Sequence, residues 1–209
     1  MSSEPDPLEE NRKERSNVAY LVWGLVLFLG VHSVRIFADG WRTQTVARVG
    51  PNAFKAAYAI LSLLGFALII WGFGIARETP AVLWTPPHGM RHAAALFNVL
   101  AFVLLAAAYV PRNGIKARVH HPMVLAVKTW AFAHLISNGN LAHVVLFGVF
   151  LAWAVLDFIS ARRRDRAQGV QYPAGVGSAT VLTVLFGVLF SGVFAMWLHG
   201  LLIGIKPFG

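Results

Sequence analysis

The chain contains no cysteine. That absence excludes disulfide bridges, thiolate zinc sites and iron–sulfur clusters, and also haem attached covalently through a C-x-x-C-H motif. Non-covalent haem held by histidine is untouched by this argument. Charge is scarce too. Asp, Glu, Lys and Arg make up 13% of the 209 residues and hydrophobic residues 57%, with a mean hydropathy of +0.62. A soluble domain of this length needs more charge to cover its surface. Acids are the rarer sign, nine against eighteen Lys and Arg, for a net charge of +9. In a soluble protein such a surplus points to nucleic acid. Here the basic residues fall between long apolar runs, where membrane orientation and anionic lipid account for them, and no nucleic-acid partner is expected.

What is present is sequence suited to hydrocarbon. About 20 helical residues at a rise of about 1.5 Å cross an apolar core of about 30 Å. Six runs approach that length, at residues 18–37, 56–73, 92–110, 122–136, 141–159 and 179–203, the fourth being the shortest. The expected class is therefore all-α, a polytopic transmembrane helix bundle of about six spans embedded in a lipid bilayer. It occupies residues 18–209 and follows a disordered polar tail at 1–17, whose Glu, Asp, Pro, Arg and Lys show no periodicity. Lys and Arg on alternate sides number eleven for the first, third and fifth loops and six for the opposite side, leaving out Lys128 within a span. The positive-inside rule then places both termini outside the cytoplasm.

Ionisable residues inside apolar runs are the functional candidates, because each costs about 2.5–3.5 kcal/mol at a helix centre on insertion scales. On the fourth run Met123, Val127, Trp130 and His134 recur at i, i+4, i+7 and i+11 and share one face. On the first, His32 and Arg35 lie three residues apart on nearly the same face. Their depths differ by about one helical turn, which tilt absorbs, so a two-histidine site between these helices is geometrically open. Neutral imidazole is a natural axial ligand for haem iron. On the sixth run Gly187, Ser191, Ala195 and His199 recur every four residues, a small-residue stripe suited to close helix approach. His134, His143 and His199 all fall in the outer half of the bundle. Three imidazoles there offer an alternative metal site, against the plainer reading that each bonds a helix end or neighbour. His120 and His121 start a helix beside Pro122 and are ambiguous. Lys128 is offset about 120° from His134 and snorkels to headgroups. Asp157 is expected to pair with the arginine cluster, and Asn98 to bond a neighbouring helix.

The motifs Phe28-Leu29-Gly30-Val31-His32-Ser33-Val34-Arg35, Leu83-Trp84-Thr85-Pro86-Pro87, His121-Pro122-Met123, Ala133-His134, Asn138-Gly139-Asn140 and Trp197-Leu198-His199-Gly200 occur in this order. Together the chain resembles the NnrU family of bacterial membrane proteins from about Val18 to Gly204. The resemblance implies a bacterial inner-membrane location and an association with denitrification and nitrogen-oxide pathway proteins. The family is related to zeta-carotene isomerase, an integral membrane enzyme with haem b. Its matching positions imply His32 and His134 as the haem iron's axial ligands. Position on the helix faces adds His121, His143, His199, Arg35 and Trp130 as further site candidates. The isomerase carries a cysteine three residues before its second ligand, where this chain has Ala131, so ligand exchange through sulfur at that position is excluded. Three functions follow as alternatives: a haem b protein of nitrogen-oxide metabolism, a haem-dependent isomerase of a carotenoid or similar lipophilic molecule, and a non-catalytic assembly or transport subunit. A His-Pro-type methyltransferase is weakened by the lack of a downstream acidic pair.

Overall fold

The computed structural model describes residues 7–78 and 80–207, with side chains from residue 18 onward. Among these residues every regular element is helical, and the chain divides into two compact units. The first comprises the described residues to Pro86 together with Asn138–Trp153, and the second Pro87–Ser137 together with residues from Ala154 onward.

In the first unit α1 (Pro7–Phe37) packs along α3 (Pro51–Ala76). The contact is close because glycines take the places where side chains would hold the backbones apart. A Cβ on Gly24 would stand 2.6 Å from the Ile69 nitrogen and one on Gly65 2.7 Å from the Phe28 nitrogen, while one on Gly72 would overlap the backbone of Leu21. Leu21, Leu25 and Leu29 fill the seam beside them. Pro51 opens α3, where its missing N–H has no partner to lose. The turn 138–140 also belongs to this unit: Leu83 N–H donates to the Gly139 carbonyl at 2.8 Å and Leu141 N–H to the Ala81 carbonyl at 2.8 Å.

In the second unit α4 (Met90–Tyr109) packs against α6 (Pro122–Ser137) and α8 (Gly177–Val193). Small residues again set the spacing. Ala94, Ala101 and Ala107 of α4 are buried, as are Ala126 and Ala133 of α6 and Thr183, Gly187 and Ser191 of α8. A Cβ on Gly187 would stand 2.5 Å from the Val103 Cα. The expected small-residue stripe is thus a real helix contact as far as Ser191. A π-helical turn at Phe194–Leu198 then precedes α9 (His199–Ile203). The short α5 (Gly114–Val119) is capped by the buried Asn113, whose Oδ1 accepts from the Lys116 N–H at 2.8 Å while its Nδ2 donates to the Ala107 and Val110 carbonyls. Helix α7 (Leu141–Gln168) contributes its first half to one unit and its second half to the other.

Among the described residues, five helical stretches are long and apolar enough to cross a membrane: Val18–Phe37, Pro51–Ala76, Met90–Tyr109, Leu141–Gln168 and Gly177–Ile203. The sixth, α6, has 16 residues, about 24 Å of helix against a core of about 30 Å. Leu63, Leu96, Leu185 and Leu189 stand exposed on these helices. Such apolar outer faces suit lipid and not water.

Four differences from the sequence reading have local causes. Residues 7–17, expected in a disordered tail, are helical, since Leu, Glu, Arg and Lys are strong helix formers and Pro7 takes the tolerated first position; residues 1–6 of that tail lie outside the described residues. The first loop holds an unforeseen helix, α2 (Asp39–Val49). Helix α7 runs through its arginines to Gln168 and stops at Gly169, where φ is +61°. Asn98 bonds the Ala94 carbonyl of its own helix at 2.9 Å and, among the described residues, no neighbouring helix.

Candidate functional site

His32 lies on α1 in the first unit, half-buried among rings. Its Nδ1 is 2.7 Å from the Phe28 carbonyl, one turn back along the helix. A carbonyl oxygen only accepts, so Nδ1 carries a proton, and in the neutral ring Nε2 is the basic nitrogen. The ring is held by Phe28, Tyr58 and Trp153 at centroid distances of 4.2, 5.2 and 6.2 Å. Trp153 Nε1 is buried without a hydrogen-bond partner among the described residues. Arg35, the other first-helix candidate, sits 3.9 Å from Asp39.

His134 lies on α6 in the second unit and repeats the arrangement. Its Nδ1 is 2.9 Å from the Trp130 carbonyl, again four residues back, and its ring is 5.4 Å from the Trp130 ring. Nε2 is once more the basic nitrogen. Each of these histidines has the nitrogen state that metal ligation by Nε2 requires, fixed by a backbone carbonyl as a supporting partner. Ala131, three residues before His134, is fully buried. His32 and His134 fall in different units.

The other candidates have local partners. His199 follows the π-helical turn, and its Nδ1 donates to the Ile205 carbonyl at 2.6 Å. His143 packs against Phe73 and Phe147, with its Nδ1 buried and unpartnered among the described residues. Among the described residues neither unit gathers three His, Asp or Glu side chains into a metal-binding cluster. Asp157 stands 4.0 Å from Arg164, as its position near the arginine cluster implied.

His121 belongs to a group that spacing did not reveal. Its Nε2 donates to Asp165 Oδ2 at 2.8 Å, and the Tyr172 hydroxyl donates to the same oxygen at 2.8 Å. Beside it His120 stacks on Tyr172 at 4.1 Å and accepts at Nδ1 from Arg162. His120 has φ +70° and ψ −51°, and the His121 N–H bonds the Val119 carbonyl at 2.9 Å. That is the strained form of the γ-turn, a conformation a chain keeps only where its surroundings enforce it. Burial first, then the hydrogen bond to Asp165, pushes the Tyr172 phenol up to about 12. The raised value means that the neutral phenol stabilises the fold fully below the ordinary tyrosine value near pH 10, and that this contribution is lost as pH rises toward 12. The phenolate difference spectrum between wild type and Tyr172→Phe is therefore expected to titrate with a midpoint near 12. A midpoint near 10, the ordinary tyrosine value, would mean that Tyr172 is neither buried nor bonded to Asp165.

Apolar helices long enough to span a bilayer, with imidazoles set into them, define an integral, multi-pass helical membrane protein. The chain belongs to the NnrU family: the family model, described as NnrU protein, matches residues 20–207 and so covers both units. No curated protein and no solved structure matches the chain.

Proposed function

We propose that this NnrU-family membrane protein binds haem b, with Nε2 of His32 and Nε2 of His134 as the candidate ligands, and acts in nitrogen-oxide metabolism at the bacterial inner membrane, with both termini outside the cytoplasm. The observation that carries the reading is the shared Nδ1–carbonyl bond, which makes Nε2 the ligating nitrogen of each imidazole in its neutral form, beside aromatic rings. The surroundings fit a flat hydrophobic macrocycle: Phe28, Tyr58 and Trp153 around one histidine, and Trp130 beside the other. Haem bound there would supply one-electron redox chemistry. The residues of the chain do the rest. The Phe28 and Trp130 carbonyls hold the two tautomers, and the aromatic rings fix the imidazole planes. An isomerase mechanism with a sulfur ligand has no donor at Ala131.

Detergent-purified protein, examined by absorption spectroscopy air-oxidised and after dithionite, is expected to show a Soret band that shifts on reduction and about one haem b per chain. A well-folded, colourless preparation from haem-sufficient cells would refute the reading.

A further inference from the structure

Helix α2 is too short to span a bilayer, and none of its residues is buried, which suits a helix lying in the membrane interface. It closes one side of an open groove of about 420 Å³ whose walls are almost wholly apolar, within the range of about 300–1,000 Å³ that small-molecule sites occupy. Trp41, Thr45 and Val49 face it from α2, at i, i+4 and i+8. Val31 and Val34 of α1 and Phe54 and Tyr58 of α3 form the other walls.

The rim is cationic. Taking Thr45 as the centre of the groove face at about 100° per residue, Arg42 and Arg48 lie about 60° to either side of it. Arg42 is held at the lip by its guanidinium, 5.8 Å from the ring of the groove-lining Phe54. Among the described residues neither arginine has a carboxylate partner, whereas the nearby Arg35 has Asp39. An apolar channel opening beside two uncompensated guanidinium groups on an interfacial helix matches one occupant, a membrane lipid with a negatively charged headgroup.

We propose that the α1–α2–α3 groove is a binding site for an anionic phospholipid, its acyl chain between α1 and α3 and its phosphate between Arg42 and Arg48. The site does not depend on haem. Charge at the rim supplies the preference for acidic over zwitterionic lipid, because guanidinium groups hold phosphate by paired, charge-assisted hydrogen bonds.

Native mass spectrometry of the purified full chain, titrated with palmitoyl-oleoyl phosphatidylglycerol and with the matching phosphatidylcholine, tests this. Wild type is expected to retain one phosphatidylglycerol at least fivefold more tightly than phosphatidylcholine. The double variant Arg42→Gln, Arg48→Gln should bring that ratio to about one while melting like wild type. Ala57→Phe, which fills the groove from an exposed position, should lose both lipids. Equal binding of the two lipids by wild type would overturn the proposal. So would a preference that survives the double arginine variant, or a dimer that buries this face and excludes lipid.

Discussion

His32→Ala and His134→Ala are each expected to abolish the six-coordinate spectrum of bound haem while leaving the protein folded. Neither side chain is a packing keystone, since both are half-buried, and the hydrogen bond that each removes is made to a carbonyl already serving its own helix. The loss should therefore appear in the cofactor and not in the melting curve. Free imidazole added to either variant should restore the low-spin spectrum in part, because the cavity left by the truncation is lined by the rings that held the histidine. His143→Ala is the contrasting case. Its Nδ1 has no hydrogen-bond partner among the described residues and its ring rests on Phe73 and Phe147, so its removal should lower stability and leave the spectrum unchanged. If His143→Ala bleaches the protein and His32→Ala does not, the ligand assignment is wrong.

The largest stability effect is expected at Gly72. Any side chain there overlaps the backbone of Leu21 across the α1–α3 seam, and backbone cannot swing aside as a flexible side chain can. Gly72→Leu should cost about 3 kcal/mol or more, seen as a fall in melting temperature of about 6–12 °C for a chain of this size. Gly74 supplies the control, two residues along the same helix, where a Cβ would meet nothing within 4 Å. Gly74→Leu should leave the melting temperature unchanged or raise it slightly, as leucine is the better helix former by about 0.8 kcal/mol. Equal effects at the two positions would mean that α1 and α3 do not pack through their glycines.

The transmembrane helices could be read from the sequence because their signal is local: long apolar runs closed by Pro, Gly or charge. What escaped was set by distance or by mixed composition. Helix α2 was hidden because Trp41 and Val49 are interleaved with Arg42, Gln44 and Arg48, so that only their shared face, and not the run, is apolar. The end of the fifth span was placed at its charged residues, although arginine continues a helix as readily as leucine does. The π-helical turn at Phe194–Leu198 has no mark in its residues. Among the candidate site residues, the supporting bonds of His32 and His134 follow from i−4 carbonyls and are implicit in their helices. The partners of His121 are not: Asp165 lies 44 residues further on, and only the fold brings it, with Tyr172, to the strained turn at His120.

Ligation of haem iron by histidine is the central claim, and low-temperature electron paramagnetic resonance of the air-oxidised, detergent-purified wild type tests it most directly. The expected result is a low-spin ferric signal of six-coordinate iron with two imidazole ligands, replaced by a high-spin signal in His32→Ala and in His134→Ala. A high-spin signal in the folded wild type, or a low-spin signal that persists in either variant, would contradict it.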